Sequence, residues 1–473
     1  MILKRIKAES VIYYTALILF FVLHLYRLTA PPNGYHKWRE SDTAAVTLNY
    51  IQDKLSFSNP RTNELGTSPD RVAMELPLYC YAGAKLGRFT GDNHIALHLL
   101  SVLAGLGGLV FLFHIVKLLF DRFTASLAVW AMAFSPLYFY YSFKMMPDIL
   151  MLGLGLAGVY LFLFFIRKKS WPGFAVSAVC LAVSACLKPL ILSIYLPLFY
   201  LVWQKGDKRI RSLIFFALYT ILTLLPLAGW IRYSGWLSDR TGAVFDFYHY
   251  LDNLFLKKIF IQWPFELWVG WLLVPAFIWG LYRLVKNRRA GFFLVWMLAS
   301  LVAVVLVARY SRHHDYYSLI FIPPLAIITG YGLKQFYTCG NWRRTVTIIL
   351  IILAPFGAFF RVKERFGEME TFYTVRNAAD ENIPRGDKVI VEDNTRGAVR
   401  LYELNRRGWY IRDRNDLSHI EQFVTEGAKY IVLEEPLEKS GVVLRKYFSD
   451  CAVRLGTLYC YPLKEALLNR SEP

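Results

Sequence analysis

Apolar runs long enough to cross, or nearly cross, a bilayer recur from the N-terminus to about residue 361 of this 473-residue chain. No other feature restricts the fold as strongly. Hydropathy places spans near 9–29, 95–119, 123–141, 148–166, 172–187, 189–203, 212–231, 266–285, 290–308, 316–337 and 345–361, eleven in all. The formal net charge of +19 matters less than where the cations fall. Placing Lys4, Arg5 and Lys7 in the cytoplasm puts five further charged loops on the same side: Asp121-Arg122, Arg167 to Lys169, KGDKRIR (205–211), KNRR (286–289) and Asn341 to Arg344. Cations concentrated in short cytoplasmic loops are what membrane insertion favours. No basic groove with interleaved aromatics stands on a soluble segment, so nucleic-acid binding is excluded as a function class.

The start MILKRIK and the apolar stretch Val11 to Tyr26 lack a small-x-small cleavage site, which predicts an uncleaved first helix. Lys188 and Pro189 separate two short apolar runs in SACLKPLIL, and a proline beside a charge predicts a break at the membrane edge. Two outer segments are long: 30–94, with amphipathic pieces, and 232–265, rich in Tyr, Phe and Trp. A third, RYSRHHDYY (309–317), is short.

After residue 361 the texture changes. KVIVED, GWYIRD and KYIVLEE read as strands, AVRLYELNRRG and LSHIEQFVTEGA as helices, and a further helix and a hairpin follow. The predicted division is a membrane domain, 1–361, and a small extracytoplasmic α/β domain, 362–473. No glycine-rich phosphate loop accompanies the tail strands. Cys80, Cys180, Cys186 and Cys339 lie in or near apolar segments and suit packing. Cys451 and Cys460 flank a glycine-containing turn, the spacing of cross-strand neighbours that a disulfide would join outside the cytoplasm.

Ionisable groups at membrane depth are costly, and each is a candidate for function. The outer level gathers Arg39, Glu40, Asp42, Glu75, Lys144, Asp148, Lys188, Arg309, Arg312, His313, His314 and Asp315, from five parts of the chain. Each also has a plainer role. Asp42 stands before TAAVTLNYI as a helix cap would, and Asp148 after Pro147 suits a helix dipole. Lys188 and Arg309 have the positions of snorkelling anchors. Carboxylates and cations together at a bilayer surface fit transfer of a group from a lipid phosphate to a hydroxyl. A carboxylate takes the acceptor proton, and cations hold the charge that develops on the phosphate.

The motifs HKWRESDTA (36–44), MELPLYCYAGAKLGRFTG (74–91), SFKMMPDILMLGLGLAGVYLF (142–162) and SACLKPLIL (184–192), in this order, resemble those of bacterial polytopic glycosyltransferases of the GT-C type. RHHDYYSLIFIPPLAIITGYGL (312–333) extends the likeness, which covers roughly residues 1–361. The pattern is similar to the protein O-mannosyltransferase superfamily and the lipid A aminoarabinose transferases. That resemblance implies an inverting glycosyltransferase in the bacterial inner membrane. Its donor would be an undecaprenyl-phosphate sugar, and its acceptor a hydroxyl of a glycan, lipid A or a protein.

By position, the resemblance makes Asp42 the catalytic base, Asp148 a second acid that organises the site, and Lys188 a contact to the lipid phosphate. Glu75 matches an acid before a proline, and Arg39, Arg309, His313 and His314 become candidate phosphate or sugar contacts. The paired Asp-Glu of many relatives is here Glu40 and Asp42, which a regular helix sets about 200° apart. Asp42 is the expected base, with Glu40 ahead of the helix start. The second loop has one acid instead of a D-x-D or D-x-E pair, which leaves a divalent cation open and weakens the case for an obligatory one; no cofactor is certain.

Two other classes compete. A secondary transporter of an anionic or lipid-linked substrate would place charges near the midplane on interrupted helices and often shows repeated halves. Here the charges gather at one surface and no repeat is evident. A membrane-anchored receptor would need far fewer spans.

Overall fold

The computed structural model describes residues 8–66, 72–205, 209–235, 250–367, 370–395, 397–414, 417–437 and 444–464. Lys4, Arg5 and Lys7, residues 206–208 of the basic loop and residues 236–249 of the aromatic outer segment lie outside them. The chain forms two compact units. One comprises Met1–Leu28, Ala73–Tyr79 and His98–Glu364; the other Thr29–Val72, Cys80–Leu97 and Arg365–Pro473. Most of the segment 30–94 belongs to the unit that contains the tail.

The first unit is helical, and every expected span corresponds to helix. Among the described residues, six helices are long and apolar enough to cross a bilayer on their own: Ala8–Leu25, Asn93–Leu119, Asp148–Lys168, Leu213–Ser234, Asp315–Thr338 and Asn341–Arg365. Trp171–Leu187, Pro189–Gln204 and Gly291–Leu306 are shorter. Two expected spans are not single helices. The stretch 123–141 stops at Ala133 and restarts at Pro136, whose ring and missing N–H interrupt the ladder. The stretch 266–285 joins a bent pair, Asn253–Trp268 and Trp271–Lys286, which turn 93° between them. Hydropathy averages over such breaks.

Asp315–Thr338 is almost wholly buried and forms the centre of this unit, with Arg122–Ala133 and Val274–Lys286 packed against it. Close approach needs small residues. A Cβ on Gly332 would lie 1.8 Å from the Ala276 carbonyl oxygen, so only glycine lets the two backbones meet. Peripheral helices expose Ile214, Leu218, Ile221, Leu222 and Leu225, the surface a span presents to lipid. At one end of the bundle Asp121 caps Arg122–Ala133 through the N–H groups of Phe123 and Thr124, and its second oxygen accepts from Lys334 Nζ at 2.5 Å.

The second unit contains a five-stranded sheet, β1 (Lys388–Glu392), β2 (Gly408–Ile411), β3 (Ala428–Leu433), β4 (Val453–Leu455) and β5 (Leu458–Pro462), in the order β2-β1-β3-β5-β4. β1 pairs in parallel with β2 and β3 through the crossover helices Ala398–Leu404 and Leu417–Thr425. The terminal hairpin adds antiparallel strands. Alternation along β1 sends Val389 and Val391 to one face and Ile390 to the other, so the sheet is buried on both sides. Opposite Cys460 on the hairpin stands Val453, and Cys451 precedes the strand. Both thiols are free, Cys451 exposed and Cys460 buried, which answers the question the sequence left open. Burial pushes the Cys460 thiol up to about 12.

At the end of β1, Glu392 accepts from Arg414 Nε and Nη2, both at 2.6 Å, and from the Glu434 N–H at 3.0 Å. Burial pushes its carboxyl up. The bonds from Arg414 and Glu434, with the guanidiniums of Arg414 and Arg400, prevail and hold it below the ordinary glutamate value. A carboxyl whose pKa is lower folded than unfolded stabilises the fold above its unfolded value, and that stability is lost as pH falls through the folded one. Glu392→Gln is expected to cost about 1–2 kcal/mol at pH 7. Amide exchange of β1 to β3 in the full-length protein measures this, and the difference from wild type should fade below about pH 4.

Candidate active site

Within the helical unit, the sequence positions two charged residues by proline chemistry. A residue before proline is driven to extended backbone. Lys188 duly has φ −160° and ψ 115°, between the helix Trp171–Leu187 and a 3₁₀ turn that begins at Pro189. Asp148 follows Pro147 as the first residue of Asp148–Lys168, where a carboxylate meets the positive end of the helix dipole. The two helices pack side by side, and Lys188 Nζ donates to Asp148 Oδ1. The Asp148 side chain is 1% exposed and that of Lys188 12%, so the acid is sealed and the cation keeps a path outward. Asp148 Oδ2 is buried with no hydrogen-bond partner.

Two tyrosines complete this cluster. The Lys188 ammonium lies 4.2 Å from the ring centroid of Tyr316 and 4.7 Å from that of Tyr317, so the π faces of both cup the charge. His314 stacks on Tyr316 at 5.4 Å. Asp315, also buried, accepts from the Tyr141 hydroxyl. Glu75 is buried, and its segment is pinned beside that of Lys188: the Leu76 N–H donates to the Cys186 carbonyl at 3.0 Å, and Trp230 Nε1 donates to that of Met74. Lys144 is fully buried with its ammonium 5.1 Å from the Tyr140 ring. Arg309 and His313 are exposed, and the His313 ring meets that of His314 edge-on, 6.5 Å between centroids.

In the second unit the helix that carries Asp42 begins at Lys37, not after Glu40. Asp42 is therefore no N-cap, and Glu40 lies inside the helix with it. The expected divergence of the two acids applies to the real helix. Glu40 is buried and its Oε2 accepts from the Asn33 N–H at 3.4 Å. The Asp42 side chain is 30% exposed and receives Arg39 Nη1 at 3.0 Å from one turn back. Arg39 and Asp42 share a face, and Glu40 is turned from it. Among the described residues, no group of three His, Cys, Asp or Glu is placed to hold a metal ion.

The residues missed from sequence are Tyr316, Tyr317, Asp315 as an acceptor, and Tyr141. The DYY run was visible, but nothing in it points to a lysine so far upstream.

A buried acid and a lysine are thus joined at the ends of two apolar helices, with aromatic rings against the ammonium. The whole chain was compared with solved structures against that background. ArnT from Cupriavidus metallidurans bound to undecaprenyl phosphate matches with a TM-score of 0.66 and 12% identity, over 98% of this chain and 99% of that one. The protein has the GT-C glycosyltransferase fold. The Archaeoglobus fulgidus oligosaccharyltransferase in complex with Zn and sulfate matches with a TM-score of 0.60 and 11% identity, over 94% of this chain and 72% of that one. The same organism's AglB with an inhibitory peptide and a dolichol-phosphate matches at 0.59 and 11%, over 97% and 75%. The family model described as Dolichyl-phosphate-mannose-protein mannosyltransferase matches residues 77–232. No curated protein matches by sequence. The GT-C likeness expected for residues 1–361 thus extends over nearly the whole chain, tail included.

The ion pair generates a direct prediction. Lys188→Ala strands a buried carboxylate and is expected to destabilise the helical unit by about 3–5 kcal/mol. Asp148→Asn with Lys188→Met, which removes both charges, should cost much less than the sum of the single changes. Thermal unfolding of the purified protein in nanodiscs measures the cycle, and additive effects would deny the coupling.

Proposed function

We propose that this protein is an inverting glycosyltransferase of the inner membrane, which moves a sugar from a polyprenyl phosphate, such as undecaprenyl phosphate, to a hydroxyl at the outer face. The acceptor class is a cell-envelope glycan, lipid A or a protein. One observation carries the reading: the Asp148–Lys188 pair cupped by Tyr316 and Tyr317, in a chain with the GT-C fold. An apolar pair would serve stability at least as well, so a buried ion pair retained here suggests a task for the charge.

In this reading Lys188 contacts the donor phosphate and Asp148 fixes the ammonium's direction. An ammonium has three N–H donors, of which Asp148 takes one. Asp42 is the general base. Its carboxylate takes the acceptor proton as the acceptor oxygen bonds to the anomeric carbon. The bond from that carbon to the phosphate oxygen breaks on the opposite side, and its electron pair leaves with the lipid phosphate. A single displacement inverts the anomeric centre. The departing phosphate is acidic enough to need no proton, only cations to hold its charge. Arg39 orients Asp42 on the shared helix face. Glu75 and His314 border the Lys188 segment and are assigned to sugar or phosphate contacts, with Arg309 and His313 as outer contacts to the incoming substrate.

Asp42→Asn is expected to lower transfer by about a hundred-fold or more while the protein stays folded. The assay uses membranes given undecaprenyl-phosphate-linked mannose, glucose, galactose or aminoarabinose and follows sugar reaching acceptor. Full activity of the variant would remove Asp42 as the base.

A further inference from the structure

Helix starts are ordinarily fixed by a local side-chain cap, and at Lys37–Gln52 the residue in the N-cap position supplies none. His36 stands at its N-cap position with φ 67° and makes no side-chain capping bond. Its first turn carries Lys37 and Arg39, two cations at the less favourable end of the helix dipole, with Glu40 beside them reaching back to the Asn33 N–H. Beyond the local bonds of Lys37 N–H to the Gly34 carbonyl and Asn33 N–H to Glu40, the start is held by the tail. Lys37 Nζ donates to Glu403 Oε1 at 2.7 Å, and the Glu403 side chain is 2% exposed. Glu403 also receives Arg400 Nη1 at 2.7 Å, and Arg400 reaches on to Glu434 at 2.6 Å. A buried carboxylate with two cations is costly unless both are kept. It is an odd choice for packing alone.

Independent contacts hold the same helix at both ends. Before it, the Tyr35 N–H donates to the Arg365 carbonyl at 3.0 Å. Gly34, at φ +64°, lies so close that a Cβ there would come within 2.0 Å of that oxygen. Toward its C-terminus, Asn49 Nδ2 donates to Asn63 Oδ1 at 3.0 Å, and Asn63 Nδ2 donates to the Leu401 carbonyl at 3.1 Å. The Gly408 N–H returns to the Asn63 carbonyl, and Arg407 pairs with Asp53 just past the helix end. Along its length, Lys37–Gln52 packs on Ala398–Leu404.

We infer that the tail domain is the mount of the Asp42 helix, and that Glu403 is a positioning residue that sets the helix start through Lys37. The inference rests on the reading of Asp42 as base. The tail then needs no substrate of its own, and its sheet is the rigid element against which a weakly capped helix is registered. Misplacement of a base by a fraction of an ångström to an ångström lowers turnover and leaves donor binding alone.

The test uses the full-length protein in nanodiscs with Glu403→Gln, Glu403→Asp and Lys37→Met. Lys37→Met keeps the Glu403–Arg400 pair and so guards against a variant that fails to fold. Amide exchange at residues 37–42 is expected to quicken about ten-fold in Glu403→Gln and Lys37→Met, with β1 to β3 unchanged. Turnover of the undecaprenyl-phosphate sugar should fall about ten-fold in kcat, with KM and undecaprenyl phosphate affinity unchanged and partial recovery in Glu403→Asp. Wild-type exchange at residues 37–42 in Lys37→Met and Glu403→Gln overturns the inference, as does a loss confined to KM. If Asp42→Asn stays active while these variants show the exchange change, the base assignment fails and the mount stands. If Asp42→Asn is inactive and these variants behave as wild type, the mount fails and the base stands.

Discussion

A lysine and an aspartate at the ends of two apolar helices can both stay ionised only if each supplies the other's counter-charge, because neither has water enough to do so. That requirement fixes much of the helical unit. It sets the helices Asp148–Lys168 and Trp171–Leu187 side by side in one register, and it requires the chain to break at Lys188 so that the side chain turns inward. It also explains the aromatic neighbours, since Tyr316 and Tyr317 shield the ammonium with π faces that themselves favour a cation. The central Asp315–Thr338 segment delivers those tyrosines from its first turns, so burial of the core and construction of the charged cluster are one event.

The second unit solves a different problem. The helix that carries Asp42 is short, half polar and started by cations, and it would be marginal alone. It acquires its position from a sheet domain encoded more than three hundred residues later. Lys37 and Glu403 are a link that only the folded chain makes visible. The Asp148–Lys188 pair and Asp42 stand on two differently built supports, one of apolar spans and one around a sheet.

Much of this was legible in the sequence because it rests on local rules. Apolar runs located the helices, and Lys188-Pro189 located the break. The alternation of strand and helix patterns in the tail gave all five strands and their order along the chain. What was hidden rests on non-local contacts or on backbone detail. The start at Lys37 was missed because no capping residue announces it and the cations argue against it. The breaks before Pro136 and at Val269–Gly270 vanish in a hydropathy average. Whether Cys451 pairs with Cys460 could not be read from spacing, because it depends on the hairpin register, which places Val453 opposite Cys460. Burial of Glu40 and exposure of Asp42 follow from helix geometry once the start is known.

The donor's phosphate is the point at which the account is most exposed. The most direct measurement is the structure of this protein with undecaprenyl phosphate bound. The predicted result is a phosphate oxygen hydrogen-bonded to Lys188 Nζ, between Asp148 and the rings of Tyr316 and Tyr317. A phosphate held elsewhere, with Lys188 still engaged on Asp148 and its two tyrosines, would contradict it.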